Sequence, residues 1–481
     1  MAVELETGFV TNDLGTAIPR VLKPLTLDDP EHPQNWSTVR RIWITLMLSC
    51  FNLIGTIMSS IFGSGQKMVA KEMGISVEVS ILGTTLFLVG YVFGFLLIAP
   101  LSERFGRKYP MLIGLVLASV FSLMPALGHN TATIFLGRFF SGLFGVSPVA
   151  ILGGVIVDCW SPQYRGVAMA CTISLTFSGP TFGPIIGGFI VNSHLDWRWT
   201  MWVMIIAGLG SAALGLVLFP ETYPPVLLRR KAKRLSNQLK TKVITSADLK
   251  QLAPRDIVFL YLARLVSTQP ILLMLTIYQS FVYGVLFLFY QSFPIAFGED
   301  RNWHGGLASL PLLGVIVGTF LGTGLVFIYN SVYFKSHAYT RTGEFNPESR
   351  LPLMIIGGAL IPAGMFWFAW TSSPTIPWPS QVVAGGLIGC GMYLLFIQCF
   401  TYIVDCYTHV ANSAMGVNGA IRSIFGAAFP LFAMPMFHRL GVNWAMTVLG
   451  FLSLALVPVP VAFFIYGARI RARGSTEMPS K

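Results

Sequence analysis

Charge is scarce in this sequence: only 11% of its 481 residues are Asp, Glu, Lys or Arg, against about 25% in a soluble domain. With 54% apolar residues, that scarcity excludes a water-solvated globule, and a disordered or collagen-like chain with it. The six cysteines (Cys50, Cys159, Cys171, Cys390, Cys399, Cys406) all fall in or at the ends of apolar stretches, so no disulfide framework is expected. Seven scattered histidines form no His-x-x-His or His-x-x-x-His pair for a metal. There is no phosphate-binding Gly-x-x-x-x-Gly-Lys loop and no Gly-x-Ser-x-Gly elbow, which argues against an ATP-driven pump and a hydrolase. We expect no enzyme, no cofactor and no metal. About forty polar residues precede the first apolar run, so no cleavable signal peptide is expected.

What the chain has instead is long apolar runs. About twelve are long enough to cross a bilayer core of roughly 30 Å as helices. They fall near 42–65, 79–101, 109–128, 132–157, 167–190, 200–219, 270–293, 307–330, 352–371, 380–404, 413–437 and 442–466. The expected fold is an all-α polytopic membrane protein with two pseudo-symmetric six-helix halves, 42–219 and 270–466. A tail (1–41), a polar central loop (220–269) and a second tail (467–481) complete it. Twenty-five of the 32 Lys and Arg fall in the segments on one side and five on the other. Positive charge collects on the cytoplasmic side of membranes, so both termini are expected there. The net charge of +12 therefore reports topology. Its densest cluster, Arg229, Arg230, Lys231, Lys233 and Arg234, lies between spans without interleaved aromatics, and no nucleic-acid partner is expected.

The halves repeat in parallel. Glu103 and Glu348, Asp158 and Asp405, and Pro184 and Pro430 are separated by nearly equal offsets at equivalent points. Such halves place a substrate between them near the midplane.

Three motifs carry the mechanism. The loop Ala99-Pro100-Leu101-Ser102-Glu103-Arg104-Phe105-Gly106-Arg107-Lys108 puts a carboxylate and several cations at a helix end, with Gly106 permitting a tight turn. The fourth run holds Arg138-Phe139-Phe140-Ser141-Gly142, an arginine that must find a partner or a wet cavity inside the membrane. It ends at Asp158, followed by Arg165-Gly166. The fifth run reads Ser178-Gly179-Pro180-Thr181-Phe182-Gly183-Pro184-Ile185-Ile186-Gly187-Gly188, where two Gly-Pro pairs and a Gly-Gly are expected to bend the span and allow close helix contact.

The first string resembles the signature loop of the major facilitator superfamily, with Ala99 for Gly and Glu103 for Asp. Arg138 to Gly142 resembles that family's Arg-x-x-x-Gly motif, and the fifth run resembles its antiporter motif (Gly179, Pro180, Gly183, Pro184, Gly187, Gly188). Asp29-Pro30-Glu31-His32-Pro33-Gln34-Asn35-Trp36, Pro220-Glu221-Thr222-Tyr223, Pro347-Glu348-Ser349-Arg350-Leu351 and Arg422-Ser423 through Phe429-Pro430 are similar to fungal twelve-span drug:proton antiporters. That branch includes multidrug, polyamine and toxin exporters. The resemblance spans roughly residues 29–466. It implies a monomeric, proton-coupled exporter of small amphiphilic compounds in the plasma membrane, a vacuolar membrane remaining open. The alternatives are an uptake facilitator and a non-transporting sensor on the same fold. It further implies a cytoplasmic gate of Glu103, Arg104, Gly106, Arg107, Lys108, Asp158 and Arg165. Proton coupling would rest on Arg138, Asp158 or Glu103.

Asn52, Gln279, Tyr290, Gln291, Tyr393, Gln398 and Arg422 are the candidate cavity residues, polar or aromatic groups within spans. No acid falls in the middle of a span. A polycation would need a buried carboxylate to replace its hydration. The cargo is therefore expected to be neutral or anionic, such as a polyketide or another secondary metabolite, and not a polyamine.

Overall fold

In lipid every backbone polar group must be satisfied within the chain, so apolar runs of this length become helices. A computed structural model describes residues 20–22, 29–239, 243–245, 269–337, 346–408 and 411–475. Most of the central loop 220–269 and both chain ends lie outside the described residues.

The N-terminal half comprises α1 (Thr38–Ser60), a short α2 (Gln66–Met73), α3 (Val77–Phe105), α4 (Lys108–Leu127), α5 (Thr131–Gly145), α6 (Ser147–Cys159), α7 (Pro162–Val191) and α8 (Trp199–Leu218). Helix starts carry the expected caps: Ser37, Ser76 and Asn130 side chains accept the backbone N–H groups of Arg40, Val79 and Thr133. Helices α5 and α6 form one span, interrupted only at Val146.

After it, Pro224–Leu239 forms α9, a helix inside the stretch read from sequence as a loop. Its Leu228 and Ala232 are buried, while Lys231 ion-pairs with Asp29 at 2.6 Å. The cluster Arg229, Arg230, Lys231, Lys233 and Arg234 makes this stretch too polar to read as a span. The strand pair Arg20–Leu22 and Val243–Thr245 runs parallel.

The C-terminal half comprises α10 (Pro270–Phe293), α11 (Leu313–Tyr329), α12 (Leu351–Trp370), α13 (Trp378–Cys406), α14 (Ala411–Leu456) and α15 (Pro458–Ser475). Among the described residues, eleven continuous helical stretches are long and apolar enough to cross a membrane, one fewer than expected. The difference lies in Ala411–Ile470, 60 residues long, about 90 Å at 1.5 Å per residue, or two membrane crossings. Gly441, at φ 73° and ψ 161°, interrupts the helical geometry between them.

The halves meet along α3 against α14 and α7 against α11, with α6 touching α14 and α7 touching α13. Large exposed apolar side chains such as Ile206, Leu214, Val217, Val317 and Leu321 clothe the outside, as a lipid-facing surface requires.

Candidate functional site

At the end expected to be cytoplasmic, the α3–α4 turn depends on Gly106, whose φ is +93°. The Glu221 carboxylate fills the space where a Cβ would sit and accepts the backbone N–H groups of Arg107 at 2.8 Å and Lys108 at 3.3 Å. The turn thus points the Arg107 guanidinium inward. Its Nε donates to Asp158 Oδ2 at 2.9 Å, a second nitrogen donates to Ser102 Oγ at 3.1 Å, and its face lies 4.4 Å from the Tyr223 ring centre. Burial alone would lower the Arg107 pKa, but the Asp158 charge holds it above the ordinary value.

The other candidate gate residues separate into two groups. Glu103 and Arg165 reach across to the C-terminal half. Glu103 accepts from the Ser413 backbone N–H at 3.2 Å and hydroxyl at 3.0 Å, at the start of α14. Arg165 donates to Asp405 at 3.1 Å, and Arg350 donates to the same carboxylate at 3.2 Å. Asn412 closes the seam by donating to Ser102 Oγ at 2.9 Å. Arg104 and Lys108 stay local: Arg104 is exposed beside Phe105, and Lys108 Nζ donates to the Leu216 carbonyl at 2.8 Å. In the sequence Asp405 stands out only as one member of the repeat, and Glu221 only as part of Pro220-Glu221-Thr222-Tyr223. Neither position announces its partner along the chain.

Arg138 is buried in α5 and donates to three backbone carbonyls: Gly83 at 3.0 Å, Met58 at 3.0 Å and Ser59 at 3.2 Å. Phe62 and Phe87 rings flank it at 5.0 and 4.4 Å. It therefore ties together α1, α3 and α5 without a carboxylate.

The fifth-span glycines do what small residues do in membranes. Gly179, Gly183 and Gly187 lie one turn apart on α7, and added Cβ atoms would meet Thr56, Ser60 and Ser64, one turn apart along the facing segment. Gly188 faces Gly306 and Ser309 of the other half. The helix runs unbroken through Pro180 and Pro184; Pro180 returns no hydrogen bond to the Thr176 carbonyl.

Between the gate and the far end lies a cavity of about 40 Å³, room for a few waters at about 10–15 Å³ each. Thr56, Tyr91, Phe95 and Phe177 line it from one half, and Tyr283, Phe400, Met415 and Arg422 from the other. Of the seven candidate cavity residues, Arg422 alone is in this wall. Gln279 accepts from Asn418 at 2.9 Å within the C-terminal half. Tyr290 accepts from Thr181 at 3.1 Å, and Tyr393 donates to the Ala170 carbonyl at 2.8 Å; both bridge the halves. Asn52 donates back to Leu48 in its own helix, and Gln398 is buried in α13. Gln291 is half-buried. Tyr283 belongs to the polar-aromatic pattern of the seventh run, whereas Phe177 and Phe400 escape a sequence reading because an aromatic in a span looks the same whether it faces core or cavity.

Two helical halves packed about a central cavity leave the question of family to comparison. The profile of the Major Facilitator Superfamily matches residues 45–430. The chain belongs to that superfamily. Its relatives include the MFS-type transporter oryN of Aspergillus oryzae, 46% identical over 92% of this chain and 88% of the relative. A citrinin biosynthesis cluster MFS transporter of Monascus ruber is 44% identical over 98% of each chain. An ascochitine biosynthesis cluster MFS transporter of Didymella fabae is 43% identical over 92% of this chain and 87% of the relative. Among solved structures, the proton:xylose symporter XylE matches with a TM-score of 0.64 over 90% of this chain and 96% of that one. At 16% identity that likeness establishes the fold alone. This major facilitator protein is accordingly a multi-pass membrane transporter of small molecules and not an enzyme.

Proposed function

We propose that this transporter exports small amphiphilic compounds, neutral or anionic secondary metabolites, drugs or toxins, in exchange for protons by alternating access. The reading places it in the plasma membrane with both termini cytoplasmic. The observation that carries it is the central cavity, walled by aromatic side chains from both halves with, among the described residues, one cation and no carboxylate. The relatives' association with citrinin and ascochitine biosynthesis clusters supports a metabolite as cargo. The double Gly-Pro helix α7 supports export over uptake.

A volume of about 40 Å³ is far below the roughly 300–1,000 Å³ of an organic ligand site, so loading requires the halves to part. At one end the parting breaks Glu103–Ser413 and Arg165–Asp405. Asp158 or Glu103 takes and releases the proton there as its partners change, and Arg138 holds the helices that carry the movement.

The test uses a yeast strain deleted for its own pumps, expressing this chain and loaded with planar toxins, azoles and polyamines. Reduced retention of the uncharged and anionic compounds, abolished by a proton uncoupler and by Arg138→Ala, is the expected outcome. Unchanged retention of every compound with the protein at the cell surface would sink the export reading. Uncoupler-sensitive spermine efflux would sink the cargo assignment.

A further inference from the structure

Five arginines are buried among the described residues: Arg107, Arg138, Arg165, Arg350 and Arg422. A guanidinium stays protonated in proteins, so each must replace its lost hydration. Arg107 does so with Asp158, and Arg165 and Arg350 do so with Asp405. Arg138 uses three carbonyls. Arg422 differs from all of them. It faces only rings, with Tyr283, Phe400 and Phe396 centres at 4.8, 5.0 and 5.8 Å. No hydrogen bond or ion pair to it is present among the described residues, and its Nε is buried without a partner.

Ring faces stabilise a cation but offset only part of the hydration it has lost. The group that completes the site is an anion, and the guanidinium fork fits a carboxylate through two parallel hydrogen bonds. Among the described residues Arg422 is also the one Lys, Arg, Asp or Glu in the cavity wall, so no acid in that wall competes for it. Sharing the cavity wall with it are Tyr91, Phe95, Phe177, Tyr283 and Phe400, surfaces suited to a flat ring system.

We propose that Arg422 is the anion receptor of this cavity and that the site, once the halves part to admit cargo, takes the ionised form of aromatic carboxylic acids. A neutral cargo leaves the guanidinium uncompensated, and a cationic one is repelled by it. The inference depends on the export reading only in taking this cavity as the place where cargo binds.

The experiment measures equilibrium binding of tritiated naphthoate and of its uncharged counterpart naphthamide to the full chain in lipid nanodiscs. A charge-assisted pair predicts that the wild type prefers naphthoate by about tenfold or more. Arg422→Gln brings the preference close to unity, and Arg422→Lys, a point charge without the fork, retains part of it. Equal binding of the two probes by the wild type, binding of neither, or a preference that survives Arg422→Gln would overturn the proposal. The wild-type comparison stands even where the glutamine variant fails to fold. The two readings fail separately: acid preference without cellular efflux sinks export and leaves the anion site. Efflux with no acid preference does the reverse.

Discussion

Arg165, at the start of α7 in the N-terminal half, donates to Asp405, at the end of α13 in the C-terminal half, across 3.1 Å. Asp405 also holds Arg350, so one fully buried carboxylate pairs with two guanidinium groups belonging to different halves. The equivalent acid, Asp158, holds Arg107 of its own half. The two repeats thus share a charge arrangement but use it differently: one braces a half internally, and the other fastens the halves together.

Asp405→Asn should therefore cost more than loss of either arginine, because it leaves two buried cations unpaired. Breaking a buried pair costs about 3–5 kcal/mol. A clear fall in melting temperature of the purified protein is expected, with a smaller fall for Arg165→Gln, which leaves Arg350 paired. Arg165→Gln should also speed maleimide labelling of the adjacent Cys406 by loosening the seam. A wild-type melt for Asp405→Asn would show that the ion pair adds nothing to stability.

Arg138 makes its three bonds to carbonyls of two other helices, and a lysine ammonium cannot span them with a planar fork. Hydrogen bonds from charged groups contribute about 1.5–3 kcal/mol each. Arg138→Lys is expected to melt below wild type and Arg138→Ala lower still. Thermal unfolding monitored by intrinsic tryptophan fluorescence checks this. If both variants melt like wild type but lose export, Arg138 acts in coupling and not in holding the helices.

Gly183→Val should push α7 off α1, because even a Cβ there meets the Ser60 side chain and the backbone of Ile61. Overpacking of this kind costs about 1–3 kcal/mol, and export should fall with it. Gly210→Ala is the contrasting case, since nothing lies within 4 Å of its added Cβ; melting and export should stay at wild-type levels. Equal effects of the two substitutions would refute the close-packing role of the α7 glycines.

Much of the architecture was already legible along the chain. Apolar runs of membrane length have one structural solution in lipid, and lysine and arginine mark their ends. The near-equal spacings of Glu103, Asp158 and Pro184 from Glu348, Asp405 and Pro430 exposed the repeat. Gly106 and the α7 glycines were legible because a left-handed turn and a close helix contact tolerate little else.

Partners were not legible in the same way. That Arg165 would cross to Asp405, that Glu221 would seat the Gly106 turn, and that Gln279 would bind Asn418 depend on how helices far apart in sequence rotate about their axes. The cavity wall shows the same limit. A span presents every face in sequence, and hydropathy scores a tyrosine toward lipid, core or cavity alike. Packing turned Gln279, Tyr290 and Tyr393 into helix bridges and left Arg422, among the candidates, facing the cavity. Composition and periodicity specify how many helices form and where they end; the burial of each charge against a particular neighbour requires the assembled bundle.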